Sequence, residues 1–296
     1  MVGEEGNGPA GPRHEECARM TTPAPLRGLS DGHRLPALGL GTYPLDDAGA
    51  ESAVRTAAAS GYRLFDTAVN YRNETGTGRG IAACGLPREE LYVTTKLPGR
   101  DHGYEETLKS FDASRQRLGV EYVDLYLIHW PLPRVGKYVD SWRAMIKLRD
   151  EGLVRSLGVS NFTPEHVRRL EAETGVLPTV NQIEMHPLLP QDELRAFHRE
   201  KAIVTQSWSP LGRGSELLDD PAIGEVAARH GVTPAQAVLR WHLQLGALPV
   251  PKSADPGRQR ANLDVFGFEL SDDELRRIGE RPERRLGGDP DTHEEF

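Results

Sequence analysis

The sequence predicts an α/β protein built as a single (β/α)8 TIM barrel with an N-terminal β-hairpin plug, and three observations carry that prediction. Eight short β-branched or apolar runs alternate with helical patterns along nearly the whole chain of 296 residues. Runs such as "VDLYLIHWP" (123–131) are apolar on both faces, as parallel strands covered by helices must be. The first strand ends in "GLGTYP", which lacks the third glycine that opens a helix in an open dinucleotide-binding sheet.

The elements follow in order. "LRGLSDGHRLPALGL" reads as a hairpin turning at Asp31-Gly32, placed to plug the barrel bottom. Strands are expected at 37–40, 63–66, 91–96, 123–129, 156–160, 180–184, 203–207 and 248–251. Between them, Leu108, Phe111 and Leu118 share one helical face, and Trp142, Met145 and Ile146 another. Thr163-Pro164 and Thr233-Pro234 have the form of an N-cap followed by an N1 proline, and Ser271 with Glu274 forms a capping box. Gly61, Gly152, Gly231 and Gly246 stand where helices should stop. Residues 1–24 are Gly-, Pro- and Glu-rich and expected to be a disordered tail, with Met20 a candidate start. Residues 25–296 form the barrel, and "RPERRLGGDPDTHEEF" is a solvated tail that also closes over its mouth.

Composition narrows the function classes. Hydrophobic residues make up 38% and charged residues 27%, enough for a real core. A net charge of −8 argues against nucleic acid or an anionic membrane as partner. No apolar run reaches the ~20 residues that span a bilayer. Two cysteines, Cys17 and Cys84, imply no disulfide framework, so the cytoplasm is the expected location. Only six of the 36 basic residues are lysine, so a lysine at a strand end marks a place where arginine would not serve.

In such a barrel the chemistry lies at the carboxyl ends of the strands. Those ends carry Thr42, Asp66, Lys96, His129, Ser160-Asn161, Gln182 with Glu184, Ser207-Trp208 and Lys252-Ser253, and Tyr71 follows Asp66 by five residues. Alone, each has an ordinary structural reading: a turn aspartate, a packed tyrosine, a satisfied core histidine. Their joint placement on neighbouring strand ends is what points to a site. His186 beside Glu184 could suggest a metal pair, but Pro187 and the missing further ligands favour a structural role, and no metal is expected. His102, His198 and His242 read as surface or helix-face residues.

"GYRLFDTAVNYRNE" (61–74), "LYVTTKLPG" (91–99), "VDLYLIHWP" (123–131), "SLGVSNF" (156–162), "VNQIEMHP" (180–187), "SWSPLGRG" (207–214) and "VPKSADPGRQRAN" (250–262) resemble, in order, the aldo-keto reductase family. The "SWSPLG" form looks most like its bacterial diketogluconate reductase branch. The resemblance implies an NADPH-dependent oxidoreductase that reduces the carbonyl of aldehydes, ketones or keto-sugars to an alcohol by hydride transfer. Tyr71 would be the general acid, with Lys96 lowering its pKa, Asp66 holding Lys96, and a neutral His129 orienting the substrate oxygen. Trp208 would stack on the nicotinamide, and Ser160, Asn161 and Gln182 would hold its carboxamide. Thr42, Ser209, Leu211 and Ser253 complete the cofactor contacts; Lys252 and Arg258 would grip the 2′-phosphate of NADP, and Asn262 the adenine. Ala261 replaces the acidic residue usual beside that position, and Thr77 replaces the aliphatic residue usual before Gly78. Tyr43, Trp130 and His129 would face the substrate, together with Leu132 and the loops after His129 and Trp208. The expected partner is a small carbonyl compound, and the expected state a monomer. A metal-dependent barrel hydrolase is the rival class, but "GLGTYP" lacks the paired histidines such sites use. A slow, cofactor-binding regulatory member of the same fold is a third reading.

Overall fold

The computed structural model describes residues 23–295. Nearly all of the predicted N-terminal tail, including Cys17 and Met20, therefore lies outside the described residues. Ala24 is already buried in the core, and Pro25 accepts a hydrogen bond from the Ala37 amide at 2.8 Å, so ordered packing begins just ahead of residue 25.

Strands β1 (Leu26–Gly28) and β2 (Arg34–Pro36) form the antiparallel hairpin, turning through Gly32 at φ 88°. Eight parallel strands follow: β3 (Leu40–Gly41), β4 (Leu64–Asp66), β5 (Tyr92–Leu97), β6 (Val123–Ile128), β7 (Val154–Ser160), β8 (Val180–Glu184), β9 (Val204–Trp208) and β10 (Leu248–Pro249). They pair in sequence order, and the amides of Gly39 and Gly41 donate to the carbonyls of Pro249 and Pro251, each at 3.1 Å. Those two bonds join the first strand to the last and close the cylinder.

The alternation of side chains explains the double-faced apolar strands. Leu125 and Leu127 of β6 point inward and pack with Leu64, Val180, Leu248 and the hairpin residues Leu29 and Leu35, so the hairpin does plug the barrel floor. Tyr126 and Ile128 point outward into the layer between strands and helices. The inward set continues upward. Asp66 follows Leu64, His129 follows Leu127, Gln182 follows Val180 and Gln206 follows Val204, which lifts these polar groups into one layer near the mouth.

The covering helices are α1 (Asp47–Ala59), α2 (Glu74–Ala83), α3 (Tyr104–Leu118), α4 (Tyr138–Asp150), α5 (Pro164–Thr174), α6 (Asp192–Glu200), α7 (Pro221–His230), α8 (Pro234–Gln244), α9 (Pro256–Leu263) and α10 (Asp272–Gly279). Capping boxes open α5, α8 and α10 at Thr163, Thr233 and Ser271, as the sequence signals. Helices α7 and α10 lie outside the eightfold repeat and pack around Trp241 of α8 with Ile223, Val226 and Ile278. Helix α2 approaches its neighbours backbone to backbone: a Cβ at Gly78 would stand 2.2 Å from the Leu118 carbonyl oxygen, and one at Gly76 2.0 Å from that of Asp47. No helix among the described residues is long and apolar enough to cross a membrane.

Candidate active site

The four groups predicted to carry the chemistry meet: Asp66 and Lys96 come from strands β4 and β5, His129 directly follows β6, and Tyr71 comes from the turn after β4. Lys96, on the inner face of β5, is completely buried. Its ammonium donates to Asp66 Oδ1 at 2.6 Å, to the Thr67 carbonyl at 2.9 Å and to Tyr71 Oη at 3.3 Å. All three ammonium hydrogens are thus assigned, which a planar guanidinium could not reproduce in the same volume. Burial alone would lower the Lys96 pKa, but the Asp66 carboxylate and then Tyr71 outweigh it and hold the group above its ordinary value. Removing either member of the Lys96–Asp66 pair strands a buried charge, at a cost of about 3–5 kcal/mol.

Tyr71 ends a 3-10 turn (Val69–Tyr71) that Arg72 closes at φ 57°. Its ring lies edge-on to His129, with centroids 5.8 Å apart, and 5.2 Å from Tyr43. Lys96 lowers the Tyr71 pKa as expected, but the net direction is upward. Burial raises the Tyr71 pKa above its ordinary value; Lys96 pulls it down, but the carboxylates of Asp66 and Glu295 push it further up. The phenol is therefore protonated across the neutral range, the form a proton donor needs.

Asp66, Tyr71 and His129, but not the buried Lys96, line a mouth cavity of about 330 Å³, together with Thr42, Tyr43, Trp130, Asn161, Gln182, Trp208, Ser209 and Lys252 from the predicted set. Gln182 spends both amide hydrogens, on Asp66 Oδ2 at 2.8 Å and on Gln206 Oε1 at 2.7 Å, leaving its Oε1 free as an acceptor. Asn161 spends its own on the His129 carbonyl and Ser160 Oγ, at 3.0 and 3.1 Å, and its Oδ1 accepts from Trp208 Nε1 at 2.8 Å. The indole plane is thereby fixed by the residue expected beside it. Asn161 and Ser209 hold φ of 62° and 49°, left-handed conformations that cost a non-glycine residue energy and gather here at the mouth.

The remaining cofactor candidates sit outside the cavity. Ser160 lies behind it and donates to the Gln182 carbonyl at 2.8 Å, while Leu211 packs on the core. Ser253, Arg258 and Asn262 gather at the start and along the length of α9, where Asp255 caps the Arg258 amide at 2.7 Å. Lys252 and Arg258 are exposed, and neither side chain has an ion-pair partner among the described residues. Two unpaired cations beside a helix N-terminus form a donor set suited to a phosphate.

Other assignments change. His102, His198 and His242 are not surface residues: all three are buried. His198 is locked between Asn181 and Thr205, at 3.0 and 2.9 Å, and burial pushes its pKa down to about 3. His186 does play a structural part, 3.0 Å from Glu184, whose oxygens also accept the amides of Leu286 and Gly287 at 2.6 and 3.0 Å. Among the described residues no cluster could hold a metal ion. That Glu184 clasp draws residues 284–295 across the mouth, where His293 packs against Trp130 with ring centroids 4.1 Å apart and planes tilted by 42°. Glu295 then enters the cavity, a contact with no signal in the sequence. Gln206 was also missed, although a glutamine at an inward position of a buried strand is itself a signal.

The model of the Aldo/keto reductase family matches residues 37–281. The chain belongs to that family. This aldo/keto reductase is 54% identical over 265 residues to an aldo-keto reductase of Mycolicibacterium smegmatis, covering 89% of this chain and 96% of the relative. It is also 54% identical over 273 residues to 2,5-diketo-D-gluconic acid reductase B of a Corynebacterium species, covering 92% and 99%. Among solved structures, a variant of the protein Gox0644 in complex with NADPH superposes with a TM-score of 0.87 at 43% identity, covering 92% of this reductase and 99% of that chain.

Proposed function

We propose that this aldo/keto reductase transfers a hydride from NADPH to the carbonyl of aldehydes or ketones, keto-sugars among them, with Tyr71 as the proton donor. The observation that carries the reading is the single buried array Asp66–Lys96–Tyr71, whose phenol opens into the mouth cavity beside His129. When bound, the dihydronicotinamide supplies the hydride. The chain supplies everything else. Lys252, Arg258 and the α9 N-terminus form the phosphate-binding set, the Trp208 face and the Gln182 oxygen present a ring platform and an acceptor, and Tyr43 and Trp130 bound the substrate.

As hydride adds to the carbonyl carbon, negative charge collects on the oxygen. The Tyr71 hydroxyl donates its proton to that oxygen, and Lys96, 3.3 Å away, stabilises the phenolate left behind. Asp66 keeps the lysine in place. NADPH complexed to the 43%-identical neighbour and the diketogluconate reductase activity named for a 54%-identical relative support this assignment. A monomer acting on a small molecule, with no nucleic acid or membrane partner, in the cytoplasm, accords with it.

The test is steady-state oxidation of NADPH with a panel of aldehydes and ketones. Turnover should fall about 10²–10⁴-fold in Tyr71→Phe, the range of a general acid, with NADPH affinity within about twofold of the parent. Unchanged turnover in that variant removes Tyr71 from the chemistry. NADPH binding without turnover of any carbonyl would instead favour the regulatory reading.

A further inference from the structure

Glu295 is not a solvated end of the chain. Its side chain is 10% exposed and reaches into the mouth cavity beside Tyr71 and His129. Three groups converge on the carboxylate. The Gly99 amide donates to Oε2 at 3.0 Å, Asn70 Nδ2 donates to Oε1 at 2.6 Å, and His129 Nδ1 stands 2.6 Å from the same oxygen.

The cradle is built rather than incidental. Arg100 donates to Asn70 Oδ1 at 2.6 Å, which fixes the amide with its NH₂ toward Glu295. At Gly99 a Cβ would lie 2.4 Å from the Glu295 carbonyl oxygen and 2.4 Å from Leu132, so only glycine admits the chain this close. Burial alone would raise the Glu295 pKa, but His129, the Gly99 amide and Asn70 reverse the direction and keep it ionised.

While Glu295 is seated, its carboxylate fills the place that a substrate carboxylate would take. The clasp at Leu286 and Gly287 is separate from the cradle, so residues 288–295 can leave while the strap stays attached. We propose that the cradle of Asn70, Gly99 and His129 is a carboxylate subsite of the substrate pocket, occupied by the chain's own Glu295 until a carboxylate-bearing carbonyl substrate displaces it. The inference rests on the reductase reading for its substrate, and on the cradle alone for its ligand.

Propionate, the glutamate side chain without its backbone, is the probe. Calorimetric titration of the full chain should show propionate binding about tenfold more tightly to Glu295→Ala than to the parent, the scale of one hydrogen bond to a charged group. Adding Asn70→Ala to that variant should remove the gain. Equal affinity in parent and Glu295→Ala, or a gain that survives loss of Asn70, overturns the subsite. Steady-state kinetics then compares succinic semialdehyde with butanal, a four-carbon pair differing in one carboxylate. Glu295→Ala should lower KM for succinic semialdehyde about tenfold relative to butanal; an equal change for both overturns the seat as a substrate site. If neither aldehyde is reduced while the calorimetric gain persists, the reductase reading fails and the cradle stands.

Discussion

Gln182 donates a hydrogen bond to Asp66 Oδ2 at 2.8 Å, from the strand across the barrel and 116 positions along the chain. The residue expected to face the nicotinamide thus also fixes the carboxylate that anchors Lys96. Gln206 completes the chain by accepting the second Gln182 hydrogen at 2.7 Å, while its own Nε2 has no hydrogen-bond partner among the described residues. Gln206 does not line the cavity, so Gln206→Leu should lower kcat several-fold and leave KM for NADPH within about twofold, in keeping with a lost neutral hydrogen bond. Steady-state titration of both substrates reads the split. A rise in KM alone would mean that the glutamine pair serves the cofactor and not Asp66.

The alkaline behaviour should follow Tyr71. As the proposed proton donor, Tyr71 must be protonated, so the rate should fall as pH rises through its pKa, and burial places that pKa above the ordinary phenol value of about 10. Glu295 adds to the rise, because a nearby negative charge disfavours the phenolate. In Glu295→Gln the alkaline limb of kcat for an uncharged aldehyde should move to lower pH. A limb that stays in place, measured over the same buffers, would uncouple the two groups.

Much of this was legible in the sequence, for a physical reason. Period-2 alternation in "VDLYLIHWP" and "LFD" puts His129 and Asp66 on the same inward face as Leu127 and Leu64, and the strand end puts them at the mouth. The buried histidines could have been read too: His198 follows Leu194 by four positions and His242 follows Leu239 by three, both on the apolar stripe of their helices. Glu295 and Asn70 had no such signal. They lie in loop and tail, where position depends on contacts 196 and 225 residues apart in sequence rather than on any local period. The net direction of the Tyr71 pKa was not legible, because Lys96 can be read from the chain, whereas the extent of burial cannot.

Cofactor preference should rest on charge. Lys252 and Arg258 are exposed and unpaired among the described residues, so each is available to a 2′-phosphate. Arg258→Ala should raise KM for NADPH about tenfold or more, the loss of a charge-assisted hydrogen bond, while KM for NADH changes within about twofold. The difference should shrink at high salt, since the site is open to solvent. Equal effects on both cofactors would take Arg258 away from the 2′-phosphate.

Acid stability should depend on histidines that do not line the mouth cavity. Burial holds His198 and His242 at about 3, whereas an unfolded chain leaves histidine near 6.5. Between those values the folded protein keeps both rings neutral while the unfolded chain takes up protons. Stability therefore falls as pH drops through that window, by about 1.4 kcal/mol per pH unit for each ring. His198 sits between the Asn181 amide and the Thr205 hydroxyl, so His198→Gln keeps polar contacts there and removes the titration. Urea unfolding of parent and variant at about pH 7 and about pH 5 should show the variant less stable at the higher pH but losing about 1.4 kcal/mol per unit less on acidification. Parallel losses in the two proteins would mean that His198 is already protonated in the fold, and its neutral place between Asn181 and Thr205 would have to be abandoned.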